Sequence, residues 1–518
     1  MSQGAPHVDE DAKLLGELGY TQEFDRRWNG FSNFAISFSI ISILSGCFTT
    51  FGQAWNNGGP VAISLGWPVI AGFILIIGLC MSELLSAFPT AGGIYYWAFR
   101  LGKPRDAWLT GWLNLTGLVA VIAGVDYGFA YFFVTTAGLY SSWWDNTDLT
   151  LIFCVFLVTA IVHVIMNVYG ARIIHRLQTI NVYWHVFGVA AIVLILFLVP
   201  GHHQSASFVF THRINNSGFP SGMFWFYVLP LGFLLTQYTI TGFDASAHVS
   251  EETGGASLAA ARGLWQSIAY SAAGGWILLL GLLFAATHVK EITAAGGFSP
   301  VVVTSAMSSF WAKTILIISC VGQFFCGMSC VTAASRMLFA FSRDRAVPGH
   351  TVFRRLDRNH NPTMAAVGVA TAAVVLTLPA LYAPPGHPGV PVAFYAVTSI
   401  TVLGLFLAFM IPIGLRLRAG DAFVPGVWTL GRHYKWMCPL AVAEIIIISI
   451  YFILPTTPGG VPWDSRFDWA LVQYAPIALI IVVGGAMGWW VLSAKNWFTG
   501  PVRTIEGEDP DAIPVTSA

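Results

Sequence analysis

Two apolar stretches of the sequence decide the fold: FSNFAISFSIISILSGCFTTF at residues 31–51 and MFWFYVLPLGFLLTQYTITGFDASAH at residues 223–248. Each is long enough to cross a membrane, and each is interrupted by small polar residues. We predict that the first helix breaks at Ser45-Gly46-Cys47 and the second at Thr239-Ile240-Thr241-Gly242. Within lipid, unwound backbone is tolerated only where protein or a water-filled cavity satisfies its amides and carbonyls. Two broken helices therefore predict an enclosed polar site and favour transport.

The composition is that of a membrane protein. Of the 518 residues, 56% are hydrophobic and 10% are charged, and the mean hydropathy is +0.68. Since a spanning helix needs roughly 20 apolar residues, we predict an all-α membrane protein with twelve transmembrane helices. The predicted spans are residues 31–56, 62–88, 107–140, 150–168, 178–199, 223–247, 263–288, 314–341, 363–382, 392–415, 437–454 and 470–493.

The distribution of basic residues predicts the orientation. Counted over alternate loops, 21 of the 25 Lys and Arg residues lie on the side of the N-terminus. Because basic loops stay in the cytoplasm, we expect both termini there and the protein in the plasma membrane. The first 30 residues lack the features of a secretory signal peptide, so the first span acts as the insertion signal. The short termini favour a bacterial inner membrane.

Several classes of function find no support in the sequence. A net charge of zero argues against a nucleic-acid partner. The seven cysteines form no CxxC pair, and no group of spaced ligands predicts a metal site. Neither a P-loop nor a hydrolase motif is present. We therefore predict that the protein is not an enzyme and that it uses no cofactor.

Four groups of motifs, and the order in which they follow along the chain, resemble the amino acid/choline transporter family of the amino acid-polyamine-organocation superfamily. The resemblance is in particular to its GABA and amino acid permeases. The motifs are LGELGYTQEF with FAISFSI (15–24, 34–40), EL with AFPTAGGIYYW (83–84, 87–97), GFDAS with EET (242–246, 251–253) and SR with AFSRD (335–336, 340–344). The resemblance covers about residues 15 to 495.

The resemblance implies a LeuT-type inverted-repeat fold, with broken helices 1 and 6 facing each other at mid-membrane. The transport core would cover residues 31–415, with repeat 1 at 31–199 and repeat 2 at 223–415. A cytoplasmic segment at 1–30, helices 11 and 12 at 437–493 and a cytoplasmic tail at 494–518 would complete the chain.

The first break predicts an anion site. A helix N-terminus carries roughly half a positive charge, so Ser45, Gly46 and Cys47 are predicted to bind a substrate carboxylate at the start of the outer half-helix. The alternative is that these small residues only allow close helix packing.

The second break predicts the opposite end of the substrate site. The unwound carbonyls of Tyr238, Ile240 or Thr241, beside Gly242, would accept the substrate ammonium. The resemblance implies an aromatic gate at Tyr238, and Phe243 is a candidate second gate. For both rings the alternative is ordinary packing.

Four further residues are candidates for specificity and coupling. A charge inside a span costs about 3 kcal/mol or more, so Asp126 and Asp244 are expected to face a cavity or a partner. Asp126 would hold a second substrate cation, as in γ-aminobutyrate or a basic amine; a buried pair with Arg or His is the alternative. The resemblance implies that Tyr127 lines the site and that Asp244 and His185 take part in proton movement. Structural hydrogen bonding is the alternative for the last two.

These observations predict a proton-coupled symporter that imports an amino acid or a related amine, with sodium left open as the coupling ion. The alternatives are an amino acid exchanger, a choline, ethanolamine or polyamine carrier, and a non-transporting sensor or channel. The expected partners are the small substrate and membrane lipid. Gly484 and Gly488 match a helix-packing spacing, which leaves both a monomer and a homodimer open.

Overall fold

The computed structural model describes residues 5–169, 174–382 and 392–502. Residues 503–518 of the predicted tail lie outside this range, as do Arg172 and Arg503 of the topology count. Within the described residues, β-structure consists of two isolated bridges, Trp28 with Thr253 and Asn57 with Asn215. The rest is helix and connection, which confirms the all-α class.

The helices follow in chain order. They are α1 Ala5–Glu17, α2 Gly30–Ile40, α3 Ile43–Thr49, α4 Phe51–Asn56, α5 Pro60–Ser64, α6 Gly66–Ala87, α7 Ile94–Leu101, α8 Pro104–Gly138, α9 Leu149–Tyr169, α10 Ile174–Leu198, α11 Ala206–Thr211, α12 Leu229–Gly232, α13 Leu234–Thr239, α14 Ala245–His248, α15 Ala256–Ala285, α16 Val289–Ala294, α17 Ser299–Ala306, α18 Ser309–Arg343, α19 His350–Phe353, α20 Thr363–Thr377, α21 Val392–Ala419, α22 Tyr434–Ile453 and α23 Ala475–Leu492. A π-helix lies at Phe224–Val228, and 3₁₀ turns lie at Ser221–Met223, Ser250–Glu252, Leu378–Leu381, Gly420–Ala422, Gly431–His433, Pro458–Gly460, Trp469–Leu471 and Ala494–Asn496.

Eleven helical stretches of the described chain are long and apolar enough to cross a membrane. The predicted sixth span, residues 223–247, is not among them, because the structure divides it into the π-helix, α12, α13 and α14. Pro230 begins this division, since it stands at the first turn of α12 and donates no backbone hydrogen bond. The twelve-helix count and the inverted repeat stay predictions.

The 35-residue helix α8 runs through the middle of the bundle and packs along α21, α18 and α9. Small residues let the backbones of α8 and α21 approach closely. A β-carbon on Gly404 would lie 2.8 Å from the backbone nitrogen of Gly117. In a membrane, where lipid is as apolar as the side chains, this close packing holds helices together.

The segment before α2 folds against one end of the bundle, which we call the N-terminal face. Five of its large side chains are at most 5% exposed, so they belong to the core and not to a solvated tail. They are Leu15, Leu18, Tyr20, Phe24 and Trp28. We call residues 18–28 the lid.

Candidate functional site

The first broken helix is interrupted between α2 and α3, where Ser42 caps α3. The Ser42 hydroxyl accepts a hydrogen bond from the Ser45 amide at 3.1 Å, and the Ser42 carbonyl accepts one from the Gly46 amide at 2.8 Å. The prediction that the break falls at Ser45-Gly46-Cys47, with open amides there, is therefore wrong: these residues lie inside α3. The physical reason is that a serine oxygen satisfies the amides of a new helix, so the break lies at the cap.

Gly46 serves the contact between the two broken helices. A β-carbon at Gly46 would lie 2.7 Å from the β-carbon of Thr239, which real side chains do not tolerate. On the other side of the contact, a β-carbon at Gly242 would collide with Ile40. Glycine at these two positions brings the breaks side by side, as predicted.

The second break is confirmed where the sequence places it. Helix α13 ends at Thr239, and α14 begins three residues after Gly242, whose φ of +87° favours glycine. Ser37 on α2 joins the two broken helices. Its hydroxyl donates to the Phe243 carbonyl at 2.7 Å and accepts from the Ser246 amide at 2.9 Å.

A cavity of about 220 Å³ lies beside α3 and α8, on the side of the first break away from the lid. Tyr127 is the predicted substrate residue that lines it. The lining residues are Phe48, Thr49, Gly52, Asn56, Tyr127, Gly128, Tyr131, Phe132, Ala295, Gly296, Phe298, Ser299 and Phe394. Most are aromatic or small, and the hydroxyls and amides among them supply a few polar contacts, which is typical of a small-molecule site.

The two predicted gate residues have different surroundings. The Tyr238 hydroxyl lies against α8, since a β-carbon on Gly124 would be 2.8 Å from it. Phe243 is fully buried, and its ring centroid lies 5.2 Å from that of Phe409 on α21. Tyr238 thus reaches from the second break towards the α8 segment that lines the cavity, whereas Phe243 packs in the core. Their gating roles stay predictions.

The remaining residues of the second break are held by a polar network. Ile240 and Thr241 are buried, and the Thr241 hydroxyl donates to the Gln237 carbonyl. The Gln237 side chain in turn donates to the carboxylate of Glu444 on α22. The broken helix is therefore tied to a helix outside the predicted repeat core.

Asp126 is fully buried and paired with a histidine on the neighbouring helix α9. Both of its carboxylate oxygens lie 3.2 Å from Nδ1 of His163. Gly327 on α18 leaves room for this pair, because a β-carbon there would collide with the carboxylate. The buried pair with His is one of the two roles foreseen for Asp126. Substrate binding by its other face stays a prediction.

Asp244, also fully buried, has two polar neighbours. Its Oδ2 accepts a hydrogen bond from Asn114 of α8 at 3.2 Å and lies 3.2 Å from Nε2 of His248, one helical turn along the chain. Nδ1 of His248 lies 3.1 Å from the Ala91 carbonyl oxygen, in the loop between α6 and α7. This cluster joins the second broken helix to two other parts of the bundle.

His185 contacts the first break. Its Nε2 lies 2.7 Å from the hydroxyl of Ser42, the residue that caps α3. Its Nδ1 lies 3.0 Å from the Asn181 carbonyl oxygen in its own helix. A change in the protonation of this ring would act directly on the cap of the outer half-helix.

Ion pairs close the N-terminal face beneath the breaks. Arg343 lies 3.1 Å from Glu251, and Arg336 lies 2.9 Å from Glu252. The lid joins this layer through Trp28, whose indole donates to Glu252 at 3.0 Å. Charges at these positions are almost fully buried, so the pairs depend on each other to stay charged.

A buried carboxyl reinforces the lid. The Tyr20 hydroxyl donates to Asp344 at 3.2 Å, and the Val502 amide donates to the other oxygen at 2.9 Å. Burial raises the pKa of Asp344 well above its usual value. Protonation of this group therefore favours the closed lid.

Sequence reasoning missed Ser42, His248 and Glu444. The first two had local signals: a serine before an apolar turn is an N-cap candidate, and His248 stands four residues after Asp244 on one helix face. The approach of Glu444 to Gln237 joins distant parts of the chain and has no local signal.

Comparison with known proteins agrees with this architecture. A family model described as amino acid permease matches residues 29–486. The chain is similar to the amino-acid permease BAT1 of Arabidopsis thaliana, with 34% identity over 96% of this chain and 98% of that protein. It is 35% identical to the BAT1 homolog of Oryza sativa subsp. japonica, over 95% and 96% of the two chains. The GABA-specific permease of Saccharomyces cerevisiae is 28% identical, over 96% and 87%.

These relatives come from plants and yeast and give no support to the expected bacterial membrane. The match covers the two broken helices, the cavity and most of the ion-paired face. With eleven apolar helices in the part of the chain that the structure describes, the protein is a multi-pass membrane protein. The chain belongs to the amino acid permease family, whose members are transporters of small molecules and not enzymes.

Proposed function

We propose that this protein is a proton-coupled symporter that imports an amino acid, or a related amine such as γ-aminobutyrate, across the plasma membrane by alternating access. The observation that carries the proposal is the contact between two broken helices. A cavity lies on one side of this contact, and the lid with its ion pairs lies on the other. A carrier needs one closed face at a time, and this conformation has its closed face at the lid.

The space away from the lid supports an opening towards that side. A second cavity of about 460 Å³ lies above the first, between the ends of the helices, and Asn56 and Gly296 line both. Polar side chains such as Gln53 and Asn216 line this upper cavity. If the lid faces the cytoplasm, as the basic loops predict, this conformation faces outward.

Within the site, the substrate carboxylate would lie near the start of the outer half-helix, where Ser42 stands at the cap in place of the predicted Ser45, Gly46 and Cys47, and the ammonium would lie near the carbonyls at residues 238–242. The tight contact of Gly46 with Thr239 brings the two half-helices next to each other, which supports a site bordered by both. A zwitterion fits such a site, since a helix N-terminus attracts anions and free carbonyls attract cations.

Asp126 is the candidate for a distal amine. Oδ1 of Asp126 has no hydrogen-bond partner among the described residues. Its one ion-pair contact there is with Nδ1 of His163, at 3.2 Å. A similar protein is a GABA-specific permease, and an ω-amino acid carries its ammonium far from its carboxylate. Asp126→Asn should then weaken γ-aminobutyrate uptake more than that of an α-amino acid. Equal changes for both substrates would remove this role.

His185 is the candidate for coupling at the first break. Its contact with Ser42 makes the cap of the outer half-helix sensitive to a proton on the ring. His185→Gln should flatten the pH dependence of uptake. A profile identical to that of the wild type would exclude the role.

The deciding experiment is uptake by proteoliposomes containing the purified protein. A panel of α-amino acids, γ-aminobutyrate, choline and polyamines is tested with and without a proton gradient, and in sodium-free buffer. Accumulation driven by the proton gradient supports the proposal. Exchange without net uptake indicates an exchanger, binding without uptake indicates a sensor, and uptake of choline or polyamines alone indicates the amine carrier.

A further inference from the structure

Three histidines are buried among the described residues, His163, His185 and His248, and they differ in the protons that their contacts require. The ring of His185 faces the Asn181 carbonyl with Nδ1 and the Ser42 hydroxyl with Nε2. A carbonyl only accepts hydrogen bonds, but a hydroxyl also donates. A neutral ring with its proton on Nδ1 therefore satisfies both contacts of His185.

His163 also needs a single proton. Its Nδ1 faces the Asp126 carboxylate, and its Nε2 has no hydrogen-bond partner among the described residues. One N–H on Nδ1 makes the contact with Asp126, and nothing at Nε2 requires a second proton.

His248 differs from both, because each of its nitrogens faces an acceptor. Nδ1 lies 3.1 Å from the Ala91 carbonyl oxygen, and Nε2 lies 3.2 Å from Oδ2 of Asp244. A neutral imidazole has only one N–H, so with an ionised Asp244 one of the two contacts would place lone pair against lone pair. A second proton, on the ring or on the carboxyl, resolves this.

We propose that the Asp244–His248 pair holds an exchangeable proton in this conformation and that this is the proton carried with the substrate. A proton on His185 would then act on the cap of the outer half-helix and would not itself be carried. The inference rests on the proposed symport and names the residues that carry the ion. With the proton, the pair is neutral as a whole. Without it, the single N–H of His248 can donate to Asp244 or to Ala91 but not to both, and Oδ1 of Asp244 has no partner among the described residues.

Among the described residues, no Lys or Arg is a hydrogen-bond or ion-pair partner of Asp244 or His248. From α2, the Ser37 hydroxyl lies 2.7 Å from the hydroxyl of Ser246, two residues after Asp244. The titratable residues of α15, Arg262 and Tyr270, are exposed. In the lid layer, Arg343 is paired with Glu251 and Arg336 with Glu252.

Ala91 connects the proton to the lid. Its carbonyl faces His248, while its amide donates to Glu251 at 2.9 Å, and Glu251 pairs with Arg343. Loss of the proton would leave two acceptors facing each other and weaken the contact between α14 and the loop at residues 89–93. The loop would then hold Glu251 less firmly. The proton thus stabilises the closed lid, and opening of the lid exposes the pair to water and releases the proton.

Two variants replace the held proton by a permanent N–H. In Asp244→Asn, the amide donates to Nε2 of a neutral His248, and the Asn114 amide can rotate so that its unpartnered Oδ1 accepts. In His248→Gln, the amide donates to an ionised Asp244. The control is His212→Gln, which makes the same chemical change on an exposed side chain of the connection after α11.

The transport test uses proteoliposomes with a pH-sensitive dye in the lumen and radiolabelled γ-aminobutyrate or alanine outside. The wild type and the control should acidify the lumen as substrate enters, whereas both variants should exchange labelled substrate without acidification. An unchanged ratio of protons to substrate in either variant would overturn the proposal.

Hydrogen–deuterium exchange tests the pair without any transport. After correction for intrinsic exchange rates, peptides covering residues 89–97 and 244–254 of the wild type should be less protected at alkaline than at acidic pH, while Asp244→Asn shows no such difference. Equal pH dependence in both proteins overturns the proposal. If the wild type transports without acidification but shows this loss of protection, proton symport fails and the held proton stands.

Discussion

The contact between Gly46 and Thr239 allows a quantitative test of the broken-helix site. In Gly46→Ala, the new methyl group would lie 2.7 Å from the Thr239 β-carbon and would also collide with its hydroxyl. That hydroxyl is fixed by a hydrogen bond of 2.6 Å to the Leu235 carbonyl, so it cannot turn away without losing the bond. The two half-helices must therefore move apart.

The expected cost follows from two opposing effects. Overpacking a tight contact costs up to about 3 kcal/mol, and replacing glycine by alanine within a helix returns about 1 kcal/mol. The net cost is about 2 kcal/mol, which lowers the population of the conformation with touching breaks roughly 30-fold. We expect a similar fall in substrate uptake and a lower thermal unfolding temperature.

The assay compares uptake and thermal unfolding for four proteins at equal expression: wild type, Gly46→Ala, the double variant with Thr239→Gly, and Gly72→Ala. Gly72 lies in a helix, and no heavy atom is within 4 Å of its built β-carbon, so it reports the effect of helix propensity alone. The double variant removes the colliding side chain and should recover most of the loss. Equal behaviour of Gly46→Ala and Gly72→Ala, or no recovery in the double variant, would refute the reasoning.

Three further predictions concern the lid and the cavity. Burial raises the pKa of Asp344, so the contribution of this carboxyl to stability is full at low pH and is lost as the pH rises through the raised pKa. In Asp344→Asn, thermal stability should therefore fall less between acidic and alkaline pH than in the wild type. Arg343→Ala leaves the buried Glu251 without its cation, at a cost of about 3–5 kcal/mol. This variant should increase deuterium uptake across residues 18–28, whereas the control Arg354→Ala, at an exposed position, should leave it unchanged. Tyr127→Ala removes a wall of the cavity and should raise the KM for substrate at least about tenfold if roughly 1.4 kcal/mol of binding is lost.

An Asp344→Asn protein with the wild-type pH profile would show that another group controls the stability of the lid. Wild-type exchange at residues 18–28 in Arg343→Ala would show that the lid closes without the ion pair. An unchanged KM in Tyr127→Ala would place the substrate elsewhere.

The second break was predictable because its signal is a property of one residue. Gly242 has a positive φ, a conformation that other residues rarely adopt, and small polar residues stand next to it. The first break was misplaced because glycine and serine serve two purposes in membrane helices. Gly46 is small so that another helix can approach, while Ser42, within a run of isoleucines, supplies the cap. Sequence shows the residue types at both positions, but only the neighbouring helix shows which purpose each one serves.

The roles of the buried carboxylates depend even more on distant contacts. The partner of Asp126 is 37 positions along the chain, and the carbonyl that faces His248 is 157 positions before it. The sequence identifies the ionisable residues of the spans because charge there is costly. It does not show whether the second nitrogen of a histidine meets a donor, an acceptor or nothing. That difference separates a histidine that is satisfied when neutral from one whose two contacts call for an extra proton, so the proposal of a coupling residue rests on contacts and not on residue type.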